Sequence, residues 1–303
     1  MSIVPKQTGG ERFDAFVADV KTIILERITG REFCESESEF ARVQGIGKML
    51  RTKFAARLAG AAEIFPNIKV LKKACAAAEI VHSASLLHDD IVDNAAVRRF
   101  RPTLWKSRGT NYAILTGDLM YCEALAILME PDATHLAPVF VDKVKEMCTA
   151  EIKQELGLRK RPTDIRALTE TVRGKTGPLF AFLGYAIAAG NREFAGVLEE
   201  IGYRVGTAYQ LADDLIDATG TEKDAGKTLG TDALRNKTTL ANSPEGDGET
   251  LVSLIRTTLG SASELLAQWP RQRAGLLEFF TNDFEPALGK SLAGLRLAPV
   301  VAA

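Results

Sequence analysis

Apolar side chains recur every three to four residues along most of this chain. Phe13, Phe16, Val17, Val20, Ile23, Ile24 and Ile28 form one stripe, which predicts an amphipathic helix over 11–28, stopped at Gly30. An Ala-rich helix is predicted over 54–65, ended by Pro66-Asn67. A long one follows over 68–93, with Ala76, Ile80, Ala84 and Leu87 in register. Similar rhythms predict helices over 111–129, 138–158 and 163–172, an apolar run at 179–190, and helices over 201–217, 251–269 and 273–288. Residues 242–250, NSPEGDGET, read as a polar loop. No window alternates convincingly as a strand, so the pattern predicts an all-α fold, one large helical bundle spanning 1–303 as a single domain.

Two of these helices carry acids where an apolar run ends. Asp89, Asp90 and Asp93 close the 68–93 helix, and Asp213, Asp214 and Asp217 close the 201–217 helix. In each cluster the first and last Asp are i and i+4 and share a face, where like charges repel. A solvated acidic helix end explains either cluster alone. Two of them on apolar helices predict carboxylates facing a shared cavity with a cation between them. Oxygen ligands with little His and no Cys nearby favour Mg²⁺ over Zn²⁺, and Mg²⁺ commonly shares its shell with substrate phosphates.

Bulk properties narrow the choices. With 38 Lys and Arg against 39 Asp and Glu, the net charge is −1, so there is no global field for nucleic acid or an anionic membrane. Basic residues matter only where they cluster. Cys34, Cys75, Cys122 and Cys148 form no CxxC pair, and the three in helical stretches read as reduced core thiols of a cytoplasmic protein. Residues 1–10 lack the apolar core of a signal peptide, and 179–190 is too short to span a bilayer. With only His82, His88 and His135, no His-rich metal centre is available.

The cations do cluster. Gly45-Ile46-Gly47-Lys48 with Arg51 places glycines before a basic helix start, either an anion site or an ordinary exposed helix start. Arg98, Arg99 and Arg101 follow the first acids, and Arg suits bidentate phosphate contacts. Gly117 inside a helix predicts close packing and Asp118 a buried polar contact. Lys175 precedes a buried run and could reach a cavity or snorkel to the surface. Gly226-Lys227 and Lys237-Thr238 lie in a Gly/Thr/Lys-rich stretch able to cover phosphates.

In order along the chain, these motifs resemble those of the trans-isoprenyl diphosphate synthases, or polyprenyl synthetases, over roughly 40–240. Gly47-Lys48 with Arg51 resembles the GGKxxRP block. Glu79, His82 and LLHDDIVD resemble the first aspartate-rich motif, and Arg98-Arg99 with Pro102-Thr103 resembles RRGxPT. Gly117-Asp118, Gln154, Lys175-Thr176, Gln210 with DDLID, Gly226-Lys227 and Lys237-Thr238 follow. The resemblance implies a prenyltransferase fold with a central substrate cavity, several Mg²⁺ ions and a homodimer. It assigns metal to Asp89, Asp93 and Asp213, supported by Asp90, Asp214 and Asp217. It assigns the allylic diphosphate to Arg98, Lys175, Lys227 and Lys237, and isopentenyl diphosphate to Lys48, Arg51, His82 and Arg99. Thr176 and Gln210 would line the reacting carbons.

Ile46, Met49, Thr52, Phe100, Trp105 and Ala241 depart from the family pattern, and all of these departures spare the acids. Ala84 and Ser85, just before the first acids, are small where short-chain members tend to carry an aromatic plug. A C20 or longer product is therefore expected, with a geranylgeranyl or farnesyl diphosphate synthase as the alternative. A class I terpene cyclase would carry an Asn/Ser/Glu second metal motif, and a non-catalytic partner subunit would lose acids from one motif. Here all six remain.

Overall fold

The computed structural model describes residues 9–29, 47–60, 67–157, 165–188, 190–219 and 248–288. Lys227, Lys237, Cys34 and the 242–247 part of the polar loop lie outside these residues, as does the side chain of Asp217.

The predicted stripes become helices. α1 (Gly9–Ile28) buries Phe16, Val20, Ile24 and Ile28 and exposes its other faces. α2 (Leu50–Gly60) begins four residues earlier than its periodicity suggests, because Leu50, Arg51 and Thr52 are also buried. α3 (Ile68–Val92) starts at Asn67, whose side chain accepts the Lys69 N–H and caps the helix. Its Ala-rich middle, Ala74 and Ala76 to Ala78, is fully buried and lets neighbouring helices approach closely.

A two-residue hairpin follows, β1 (Val97–Arg98) against β2 (Arg101–Pro102), with Val97 opposite Pro102. After it come α4 (Leu104–Arg108), α5 (Thr110–Leu128), a short 3₁₀ turn (Thr134–Leu136) and α6 (Ala137–Gly157). α7 (Ile165–Ile187) joins two stretches that the sequence separates by Gly174, Gly177 and Pro178. An interior Pro costs a helix about 3 kcal/mol. Burial of Leu168 and Val172 on one side of it and of Leu179 to Leu183 on the other holds a single helix together.

α8 (Arg192–Thr219) packs along α7. α9 (Gly248–Glu264) stops short of the predicted 269, and α10 (Pro270–Phe279) starts with Pro at its first position. A π-helical turn (Phe280–Phe284) and a last turn, α11 (Glu285–Leu288), complete the described chain. Phe54 of α2 meets Phe180 of α7 at 5.6 Å and Phe279 of α10 at 5.5 Å, both edge to face, which ties these helices into one core.

Two side-chain placements correct the sequence reading. Cys75 is buried as expected, but Cys122 and Cys148 are exposed, and the Cys148 thiol hydrogen-bonds with Tyr121 of α5. Asp118 is exposed and not buried: it sits at the edge of the α3–α5 contact, its carboxylate 3.6 Å from His88 Nε2 of α3. Gly117 behaves as predicted: a Cβ there would lie 2.3 Å from His88 Nε2.

Candidate active site

The first acids sit at the C-terminal end of α3, with Asp93 as its cap donating its N–H to the Asp89 carbonyl. That end carries the negative pole of the helix dipole, the least favourable place for carboxylates. Burial, together with the charges of Glu151 and Asp93, lifts the Asp89 carboxyl to about 6 despite the opposing pull of Lys175 and Arg98. Asp90 is buried and turned toward Arg98, whose Nε donates to it at 2.6 Å. Burial raises its pKa, and Arg98 opposes the rise.

The second acids lie on α8. Gln210, one turn before Asp214, donates its amide N–H to that carboxylate at 2.9 Å. The Gln210 carbonyl oxygen accepts the Thr176 hydroxyl at 2.9 Å. The two bonds fix the amide orientation, and Thr176, Gln210 and Asp214 form a continuous relay from α7 to α8. Glycines bring these helices into backbone contact: a Cβ on Gly206 would lie 2.6 Å from Gly177 Cα and 2.7 Å from the Thr176 carbonyl.

Lys175, the neighbour of Thr176, turns the other way. It pairs with Glu151 of α6 at 2.6 Å and donates to Gln154 at 3.4 Å. Burial lowers its pKa, but Asp89, Glu151 and Asp93 together outweigh that and raise it. Adjacent residues on one turn of α7 thus bridge the two acid clusters, Lys175 toward α3 and Thr176 toward α8. Glu151 was missed in the sequence. Its i,i+3 spacing to Gln154 on α6 was the available signal.

The predicted cation pocket also assembles. Arg51 is buried, and its Nε has no hydrogen-bond partner among the described residues. Its guanidinium lies 5.2 Å from the Phe180 ring centre. Burial lowers its pKa, and Glu79 and Tyr209 act against that. Arg99 reaches Gly47, where a Cβ would stand 2.7 Å from its Nη2. Burial and the charges of Arg51, Arg99 and Arg98 push His82 well below its usual value, so its imidazole is neutral at pH 7. Lys48 donates to the carbonyl of Ala287 in α11. Burial lowers its pKa, and Asp213 pulls it back up.

Thr52 stands where the family block has Pro. Its N–H and hydroxyl both donate to Glu79 Oε1 at 3.0 Å, a pair of bonds that Pro could not make. Ala84 is buried, and the Ser85 hydroxyl is turned back to the His82 carbonyl at 2.9 Å. A hollow of about 640 Å³ between α1, α2 and α10 contains none of these residues.

The donor set fits a hard divalent cation: carboxylate oxygens, raised pKa values at Asp89 and Asp90, and an unfavourable dipole that a cation would reverse. Among the described residues no three potential ligands converge on one point. Among the described residues no helix is long and apolar enough to cross a membrane.

Comparison with known proteins agrees with this geometry. The family model described as polyprenyl synthetase matches residues 39–243. The chain is 33% identical to heptaprenyl diphosphate synthase component 2 of Geobacillus stearothermophilus over 221 residues, 71% of this chain and 68% of that one. It is 26% identical to the octaprenyl diphosphate synthase of Escherichia coli over 304 residues, 93% of this chain and 90% of that one. Against several other curated relatives, the chain spans about three fifths of their length. A solved Helicobacter pylori geranyltransferase, complexed with magnesium and isoprenyl diphosphate, shares the fold with a TM-score of 0.73. It is 21% identical, over 93% of this chain and all of that one. The acid clusters, the cation pocket and a family match across two thirds of the chain converge on one conclusion: the chain belongs to the polyprenyl synthetase family of prenyltransferases.

Proposed function

We propose that this protein is a trans-prenyltransferase that condenses isopentenyl diphosphate with an allylic diphosphate to give a C20 or longer polyprenyl diphosphate. The observation that carries the reading is the Lys175–Thr176 turn, which links one acid cluster by charge and the other by hydrogen bonds. Asp89, Asp93 and Asp213 would hold Mg²⁺, with Asp90, Asp214 and Asp217 in support. Bound Mg²⁺ would neutralise charge developing on the departing pyrophosphate. Arg98 and Lys175, with Lys227 and Lys237, would grip the allylic diphosphate and stabilise the same charge.

Lys48, Arg51, His82 and Arg99 would hold isopentenyl diphosphate. The buried, unpartnered Nε of Arg51 supports this, because a buried donor without an acceptor is costly and a phosphate oxygen would satisfy it. Neutral His82 could donate one N–H to that phosphate. Thr176 and the Gln210 carbonyl, fixed by the relay, would face the developing allylic cation with their lone pairs. Attack by the isopentenyl double bond and loss of a proton would complete one five-carbon extension.

Small, buried Ala84 and small Ser85 support a deep product channel, and the names of the heptaprenyl and octaprenyl relatives agree with it. A cytoplasmic homodimer is the assembly proposed with this reading. A second reading, a subunit needing a different partner, is favoured by the term "component 2" in one relative's name. The test is purified protein alone with labelled isopentenyl diphosphate, farnesyl diphosphate and Mg²⁺, with product length read by mass spectrometry. Products of C20 or longer support the main reading. Activity only on adding a second chain supports the subunit reading, and a cyclised product would overturn both.

A further inference from the structure

The β1–β2 hairpin turns through Arg99 and Phe100, at φ 52° and 62°. Both lie in the left-handed region that glycine adopts freely and a bulky aromatic adopts only at a cost. Two side-chain hydrogen bonds brace the base of the hairpin. The Thr103 hydroxyl donates to the Ala95 carbonyl at 2.9 Å, and Trp105 Nε1 donates to the same oxygen at 2.7 Å.

The side chains at the turn diverge. Arg98 points to Asp90 and Arg99 to Gly47, both toward the site, whereas Phe100 is 71% exposed. No other large apolar side chain among the exposed ones recorded for the described residues stands further out. Residues 94–117 contain five Lys and Arg and not one Asp or Glu. Of these cations, Arg98 and Arg99 are turned to the site, and Arg101, Lys106 and Arg108 belong to exposed residues. The chain as a whole carries a net charge of −1, so this acid-free stretch is a local feature.

A strained turn that exposes an aromatic ring within a cation-rich, acid-free stretch of chain matches the chemistry of an anionic lipid interface. The ring can enter the headgroup layer while Arg and Lys pair with the phosphates. We propose that Phe100 at the hairpin turn, with Arg101, Lys106 and Arg108, is a docking surface for an anionic membrane.

The test is sedimentation of the full chain, without substrates, with vesicles of phosphatidylcholine alone or containing roughly one-third phosphatidylglycerol. Binding should favour the anionic vesicles by at least roughly tenfold and weaken in high salt. Phe100→Gly relieves the backbone and removes the ring. It should cut binding by roughly tenfold and leave turnover in detergent unchanged. Arg101→Ser should cut binding by roughly fivefold. Phe100→Asn, which tolerates the same φ, serves as the second variant if the Gly protein folds poorly.

Failure of the parent to bind anionic vesicles, or equal binding by all variants, overturns the proposal. So does a change in oligomeric state in Phe100→Gly without a change in vesicle binding, which would assign the hairpin to a second copy. Loss of detergent turnover equal to the loss of binding would assign Phe100 to the site instead. Vesicle binding is read without substrate, so it stands or falls independently of the prenyl-transfer assay.

Discussion

At the scale of single residues, Asp89 has the most unusual environment. Its carboxyl titrates at about 6 in the metal-free fold, against about 3.9 in an unfolded chain. Between those values the folded state holds a proton that the unfolded state has released. Metal-free stability should therefore fall as pH rises from about 4 to 6, by on the order of 2 kcal/mol. Asp89→Asn should flatten that slope in chelator-containing thermal melts, and an unchanged slope would place the titration elsewhere. Turnover at limiting Mg²⁺ should fall as pH drops below about 6, because the metal needs the ionised carboxylate. Excess Mg²⁺ should restore it. Thr52 offers a second check. Thr52→Pro restores the residue of the family block but removes two donors from buried Glu79. A loss of about 1–3 kcal/mol is expected in denaturant titration, and a gain in stability would show that these bonds are dispensable.

At the scale of elements, the α7–α8 pair decides whether the relay exists. Gly206 has no room for a methyl group, since its Cβ would meet Gly177 Cα at 2.6 Å. Gly206→Ala should push the helices apart, stretch the Thr176–Gln210 bond, cost about 1–3 kcal/mol and lower kcat more than it changes KM. Gly196 lies on the same helix with nothing within 4 Å of its Cβ. There Ala should stabilise by about 0.5–1 kcal/mol through lost unfolded-state freedom and leave kcat alone. Equal effects from the two substitutions in melts and kinetics would refute the close-contact account. The π-helical turn is a different kind of device. It buries Asp283 against Arg57 at 2.8 Å and Lys53 at 3.6 Å, which fastens the last helical segment to α2, the helix carrying Arg51.

At the scale of the whole molecule, product length depends on how far the channel beside α3 runs. One helical turn advances about 5.4 Å, on the order of one isoprene unit. Ala84→Phe and Ser85→Phe should each block that path one turn before the acids and shorten the products in at least one variant. Mass spectrometry of products from farnesyl and isopentenyl diphosphate reads the result. If both variants keep the parent's products, or the parent stops at C15, the floor lies on another helix. Met120 and Tyr121 of α5 are the residues to examine next. Tyr121 stacks on His88 at 6.0 Å, and Met120 is buried.

The residues by themselves determined the helices, because a 3.6-residue apolar period has one way to bury its stripe. They also placed an i,i+4 pair of carboxylates on each of two apolar helices, where like charges repel and a cation would relieve the repulsion. Only the resemblance to the polyprenyl synthetases grouped Lys48, Arg51, His82 and Arg99. Tertiary structure alone decided which carboxylates carry strain, since Asp89 is perturbed by Glu151 and Lys175 from two other helices. It also decided that α7 runs unbroken through Pro178, because burial on both sides outweighs the lost backbone bond. Cys122 and Asp118 were misjudged for a related reason: α5 is apolar around most of its circumference, so periodicity could not tell its buried positions from its exposed ones, and only packing settles that.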